Sequence, residues 1–168
     1  MKVIFSMINR YSLLFLIFLI GGCSTKKKET PAEITSSKGL PKITVKMLSG
    51  EILETNKLQG KTILFFYSPD CDHCQREAKD IGENIQAFKE YAIYFICSPR
   101  AEELITTFRK EYGLENQPNL YFGQADVANV IGEMGNIGTP ALFIYSDEGK
   151  LVRRIDNETP AKEILKFL

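Results

Sequence analysis

Residues 62–74 read Thr62-Ile63-Leu64-Phe65-Phe66-Tyr67-Ser68-Pro69-Asp70-Cys71-Asp72-His73-Cys74. From Ile63 to Tyr67 the run is apolar without a break, as expected of a central strand covered on both faces. Ser68-Pro69-Asp70 stops that strand, because proline cannot donate to a sheet ladder. A helix is predicted from about Cys71 to Glu90, with Ala78, Ile81, Ile85 and Phe88 on one stripe. Cys71 and Cys74 therefore stand where a buried strand passes into a helix.

That position has a chemistry. Three residues apart on a helix, the two sulfurs share a face and can bond to each other. The free backbone N–H groups and the dipole at a helix start favour a negative sulfur at Cys71. Such positions lower a cysteine pKa from about 8.5 to roughly 3.5–7.5, and the thiolate is the nucleophile. Cys71 is thus the expected attacking sulfur, and Cys74 the resolving one. His73 would add positive charge when protonated and Asp72 would oppose it; equally, His73 is an exposed loop residue. Glu77 continues the Cys71–Cys74 stripe by one turn. It stands either as the acceptor of the Cys74 proton or as an ordinary surface glutamate.

The chain outward of this segment alternates strands and helices. Ile43 to Leu48 alternates apolar and polar, Ser49-Gly50 turns, and Glu51 to Thr55 returns as the second arm of a hairpin. Ala92 to Cys97 is a second buried strand, ending in a cysteine expected to be an inert core thiol. Ser98 and Pro99 are expected to open a helix carrying Leu104, Ile105, Phe108 and Tyr112, with Gly113 at its end. Asp126 caps a short helix that turns Val127, Val130, Ile131 and Met134 inward and stops at Gly135. Gly138-Thr139-Pro140 leads into a strand, Ala141 to Tyr145, and Asp147-Glu148-Gly149-Lys150 turns it back through Leu151 to Asp156. Thr159-Pro160 opens a final helix. The order is a β-hairpin, then β-α-β-α-(α)-β-β-α, an α/β layered sandwich, parallel at first and closed by an antiparallel hairpin. Pro140 begins its strand at a tight turn, where a cis bond would leave the Thr139 backbone free to pair with an extended segment.

The whole chain agrees with one such domain. It has 168 residues, and its 44% hydrophobic and 25% charged composition is that of a globular protein. With a formal net charge of +0, nothing points to a polyanionic partner such as nucleic acid. Lys2 and Arg10 precede an apolar run, Leu13 to Ile20, too short for a comfortable membrane span. It ends in Ile20-Gly21-Gly22-Cys23, which resembles a bacterial lipobox and implies a signal peptide over 1–22 and a lipidated Cys23. Ser24 after that cysteine, with no acidic residue, resembles the Gram-negative sorting signal that favours the outer membrane. Residues 23–40 are the expected tether, rich in Lys, Thr, Ser, Glu and Pro; its flexible part would reach on the order of 25 Å. The domain then spans 41–168. Of the four cysteines, Cys23 goes to lipid and Cys97 to the core, leaving one pair in a compartment that permits disulfides.

The set Phe65 to Cys74, followed by Glu77 and by Gly138-Thr139-Pro140-Ala141-Leu142-Phe143, resembles the thioredoxin superfamily, and within it the TlpA/ResA-like envelope branch. The resemblance implies a thioredoxin fold, a three-layer α/β/α sandwich around a mixed sheet, with an extra N-terminal β-hairpin. It implies Cys71 as nucleophile, Cys74 as resolving cysteine and Pro140 as the cis-proline beside them. Glu77 occupies the position of an acidic residue that tunes the ResA-like site. Thr139 and His73 are the expected substrate contacts. The usual tryptophan before the first cysteine is replaced by Asp70, and Phe65 stands where thioredoxins carry a buried aspartate. The expected activity is reversible exchange with protein thiols, as a reductant fed by a membrane electron donor, or an acceptor were the direction reversed. No cofactor and a monomeric state are expected.

Two other chemistries compete. Cys71 and Cys74 are soft ligands for Cu(I), but the copper-carrying branch of the fold uses a wider cysteine spacing and a distant histidine. A thiol peroxidase would match Ser68 three residues before Cys71, yet Leu64 stands where that family carries proline. A zinc site lacks enough Cys and His ligands beyond the pair, and a purely structural disulfide remains the plainest alternative.

Overall fold

Strand β3 (Thr62–Phe66) is buried at all five residues because both of its edges and both of its faces are covered. It pairs in parallel with β4 (Ala92–Cys97) and antiparallel with β6 (Ala141–Tyr145). The computed structural model describes residues 39–168. The expected signal peptide (1–22) and nearly all of the expected tether (23–40), with Cys23, lie outside the described residues. Among the described residues no helix is long and apolar enough to cross a membrane.

The remaining elements are β1 (Thr44–Met47), β2 (Ile52–Glu54), α1 (Asp72–Glu83), α2 (Glu102–Glu111), β5 (Leu120–Ala125), α3 (Val127–Met134), β7 (Leu151–Asp156) and α4 (Ala161–Ile164). They build one seven-stranded mixed sheet in the order β2-β1-β5-β4-β3-β6-β7. β1 and β2 form the N-terminal hairpin, and β1 lies antiparallel on β5.

Alternation along β3 sends its side chains into two separate cores. Ile63, Phe65 and Tyr67 meet Ala78 and Ile81 of α1, Ile105 and Phe108 of α2, and Ala161 and Ile164 of α4. Leu64 and Phe66 meet Val45, Ile96, Phe143 and Val130 of α3 on the opposite face. The Phe65 ring abuts Phe95 edge-on at 4.8 Å, and Phe95 stacks on Phe122 at 4.7 Å. Each such fully buried ring contributes about 1.5–3 kcal/mol of transfer free energy.

Four expectations are corrected. Helix α1 ends at Glu83, short of Glu90, because the Asn84 side chain donates to the Asp80 carbonyl (2.8 Å) and carboxylate (3.1 Å). A 3-10 turn over Ile85–Phe88 then keeps Ile85 and Phe88 buried. Helix α2 starts at Glu102, not at Ser98-Pro99. The Gln124 side chain grips Arg100, accepting from its amide at 3.0 Å and donating to its carbonyl at 3.1 Å, which holds that segment against β5.

Strand β5 is absent from the predicted order altogether. Its Gly123 and Gln124 interrupt the apolar run, and glycine weakens any strand reading. The glycine is required by packing: a Cβ there would lie 2.5 Å from Val45 Cγ1 and 2.9 Å from the Lys46 carbonyl. On α3 only Val130 is buried as expected; Val127 is 50% and Ile131 46% exposed. Asp126 does cap that helix, accepting from the Ala128 and Asn129 amides.

Because the Lys46 oxygen is backbone, it cannot swing aside for a larger residue. Gly123→Ala is therefore expected to cost about 1–3 kcal/mol in urea unfolding at neutral pH. An unchanged midpoint would contradict this close approach of β1 and β5.

Candidate active site

After β3 the chain turns through Ser68-Pro69-Asp70, and the Cys71 amide closes that turn on the Ser68 carbonyl at 3.1 Å. Arg100 braces it, donating to Ser68 Oγ at 2.6 Å and to Asp70 at 3.2 Å. Gln75 adds a bond to the Pro69 carbonyl at 2.8 Å. Cys71 then takes the N-cap position of α1 with extended backbone (φ −97°, ψ 113°), and its sulfur accepts from the Cys74 amide at 3.3 Å. The sulfur thus fills the place a serine or aspartate oxygen usually takes.

The Cys71 and Cys74 sulfurs lie 2.6 Å apart. Cys71 is part-exposed and Cys74 is buried. Burial, together with the hydrogen bond to Cys71, pushes the Cys74 thiol well above the ordinary thiol range. The Thr139 carbonyl lies 3.9 Å from Cys71 Sγ, and the Thr139–Pro140 bond is cis. Beside these residues opens a cleft of about 270 Å³ whose lining includes Ser68, Arg100, Thr139 and the exposed Val127 and Ile131.

Glu77 is 2% exposed, and neither carboxylate oxygen has a hydrogen-bond partner of good geometry. Burial chiefly, with Glu158 and Asp80 adding to it and the Thr159 amide offsetting part, pushes its carboxyl up to about 8. A carboxyl so placed holds its proton near neutral pH.

Cys71, Cys74 and Thr139 are thus brought together, with Pro140 following Thr139 through the cis bond and Glu77 one helical turn past Cys74, while Cys23 lies outside the described residues. His73 belongs to a second cluster at the same helix end. Its Nδ1 is 2.7 Å from Glu158 Oε2 and 2.8 Å from Arg76 Nη2, so it either donates to the carboxylate or accepts from the guanidinium. Arg76 in turn donates to both Glu158 oxygens, at 2.8 and 2.6 Å. Arg76 and Glu158 were not singled out by sequence reasoning. The available signal was that Arg76 shares a helix stripe with His73, but its partner is 82 residues away. Cys97 is 3% exposed and burial raises its thiol to about 11, as suits a core residue.

The profile of the thioredoxin-like domain family matches residues 49–168. The sequence is 25% identical over 144 residues to the thiol-disulfide oxidoreductase ResA of Bacillus thuringiensis, spanning 84% of this chain and 80% of that one. The fold is similar to that of a secreted Mycobacterium tuberculosis disulfide oxidoreductase homologous to E. coli DsbE (TM-score 0.62, 21% identity, 75% of this chain and 93% of that one). It is also similar to StoA from Bacillus subtilis (TM-score 0.59, 15% identity, 79% and 98%).

The buried carboxyl ties stability to pH. Its folded value is raised from 4.5 to about 8. Below the lower value both folded and unfolded chains hold the proton, and stability is fully present. As pH rises between the two values only the unfolded chain releases it, so stability falls; above the upper value the loss is complete. Glu77→Gln has no such proton. Wild-type stability should decline relative to Glu77→Gln by on the order of 5 kcal/mol between about pH 4 and pH 9 in urea unfolding. Parallel pH curves would mean that Glu77 is hydrated.

Proposed function

As the chain belongs to the thioredoxin-like family, we propose that it is an envelope thiol–disulfide oxidoreductase that reduces disulfides in protein substrates through Cys71 and Cys74. The observation that carries this reading is the buried, unpartnered Glu77 carboxyl one turn below a cysteine pair whose sulfurs are 2.6 Å apart. A structural disulfide has no use for a proton acceptor held beside it.

The Cys71 thiolate attacks one sulfur of the substrate disulfide, that S–S bond breaks, and one substrate thiolate leaves. In the fraction of molecules whose Glu77 is ionised, a fraction that grows as pH rises toward about 8, Cys74 then gives up its proton to the Glu77 carboxylate and attacks Cys71, releasing the second substrate thiolate. The protein is left with a Cys71–Cys74 disulfide, and two electrons have passed to the substrate. A donor dithiol, supplied at the membrane, must restore the reduced pair. Proton transfer from Cys74 is eased because the acceptor carboxyl sits at about 8 rather than 4.5, closer to the raised thiol. The Thr139 backbone beside Cys71 is the proposed strand-pairing edge for substrate, with Pro140 fixing it in place. The family also includes relatives named as thiol-disulfide oxidoreductases, ResA among them, which supports the reaction type.

The apolar run Leu13–Ile20 followed by Gly21-Gly22-Cys23 supports a lipid-anchored form. Cys23→Ser should shift the chain from the membrane to the soluble fraction of cells; retention in the membrane would leave an uncleaved anchor.

Cys74→Ser is expected to trap a mixed disulfide with substrate through Cys71, visible by mass and released by dithiothreitol. Cys71→Ser should trap none and lose exchange activity by several orders of magnitude. A reductant requires a potential of the Cys71–Cys74 couple near or below about −270 mV, and a value near −120 mV would reverse the direction. Full exchange activity in Cys71→Ser would sink the reading.

A further inference from the structure

The segment between β7 and α4, residues 157–160, runs along one stripe of α1. His73, Arg76, Glu77 and Asp80 stand at i, i+3, i+4 and i+7 on that stripe. The segment is fastened at both ends of it. Toward the helix start, Glu158 takes two bonds from Arg76, at 2.8 and 2.6 Å, and lies 2.7 Å from His73 Nδ1. One turn beyond Glu77, Asp80 Oδ2 accepts from the Ala161 amide at 2.6 Å. The Asn157 amide ties the same segment to the Pro140 carbonyl at 3.1 Å. Glu77 lies between these fastenings, buried, with the Thr159 amide over it.

We propose that Glu158 is a positioning residue: its clamp on Arg76 and His73 holds residues 157–160 over Glu77 and seals that carboxyl from water. This rests on the proposed role of Glu77 as acceptor of the Cys74 proton, and it adds the residues that control it. The clamp is well suited to the task. Arg76 and His73 hold the Glu158 carboxyl at about 2, so it stays ionised across the working range. An arginine fork meeting both carboxylate oxygens fixes geometry as well as charge. The groups acting on Glu77 are Asp80 on its own helix, and Glu158 and the Thr159 amide on the segment. α4 packs here through the buried Ala161 and Ile164, which carry no charge.

Sealing can be told from charge alone by the sign of one shift. Removing the Arg76 cation while leaving the Glu158 anion would, by charge alone, raise the pH midpoint of Glu77. Opening the segment lets water reach the carboxyl and lowers it. The test follows the Glu77 side-chain carboxyl by ¹³C NMR against pH in the full chain in detergent micelles. The cysteine pair is kept oxidised so that no thiol titrates beside it, and Glu77→Gln assigns the signal. In Arg76→Met the midpoint is expected to fall by about one pH unit or more, a tenfold change in proton affinity. Amide exchange at Thr159 and Ala161 is expected to quicken in the same variant. Glu158→Gln, which loses both the charge and the clamp, is expected to fall at least as far. A midpoint in Arg76→Met that is unchanged or raised overturns the proposal. The measurement does not depend on turnover. If the midpoint falls while the pH profile of mixed-disulfide resolution stays put, the seal stands and the proton-acceptor role of Glu77 fails.

Discussion

A strand apolar on both faces must be covered twice, and the site follows from how β3 meets that requirement. One face is closed by α1, α2 and α4, the other by α3 and the hairpin side of the sheet. Covering the first face demands that the chain leave β3 and turn at once into a helix packed back across it. Ser68-Pro69-Asp70 is the whole of that turn, and Cys71 is the first residue after it. The N-terminus of α1 is therefore held at the end of the most buried strand in the sheet, and β6 brings Thr139 to the same edge by pairing with β3. The positions of the two sulfurs and of the Thr139 carbonyl are consequences of the same packing that stabilises the domain.

Glu77 works against that packing. It lies on the α1 face that carries Cys74, Ala78 and Ile81 into the core, where an apolar side chain would be more stable. An unsatisfied buried carboxyl is costly, and the chain meets the cost by keeping it neutral over most of the physiological range. Sites where stability is surrendered without compensating contacts are where function concentrates. The same reasoning applies to α3. Val127 and Ile131 are large apolar residues left beside the cleft, in a helix whose pattern would otherwise turn them inward.

The sheet's centre was legible because its signals are local. An unbroken apolar run gives β3, a proline-bearing turn ends it, and the C-x-x-C spacing falls on one helix face. Glu77 was legible for the same reason, being one turn further along. β5 was not, since its two features, a glycine and a glutamine, have meaning only through β1 and Arg100. The premature end of α1 was hidden in Asn84, whose side chain competes with the helix for the Asp80 carbonyl. Glu158 was out of reach altogether: its sequence neighbours say loop, and its partners are on a helix 82 residues earlier.

That division between local and distant signals separates two kinds of control. The sulfurs are placed by residues 68–74, which are contiguous and constrained by the core beneath them. Residues 157–160, to which the proposal assigns the sealing of Glu77, are joined to α1 by a few polar contacts. Within the first group Cys74 is buried against the core, whereas Asp70, Asp72 and His73 are exposed. Arg76 and Glu158 meet at the surface, with 56% and 30% of their side chains exposed. Under the proposed clamp, a substitution at Arg76 or Glu158 would alter the surroundings of Glu77 while leaving the cysteine pair and the cis Thr139–Pro140 bond in place.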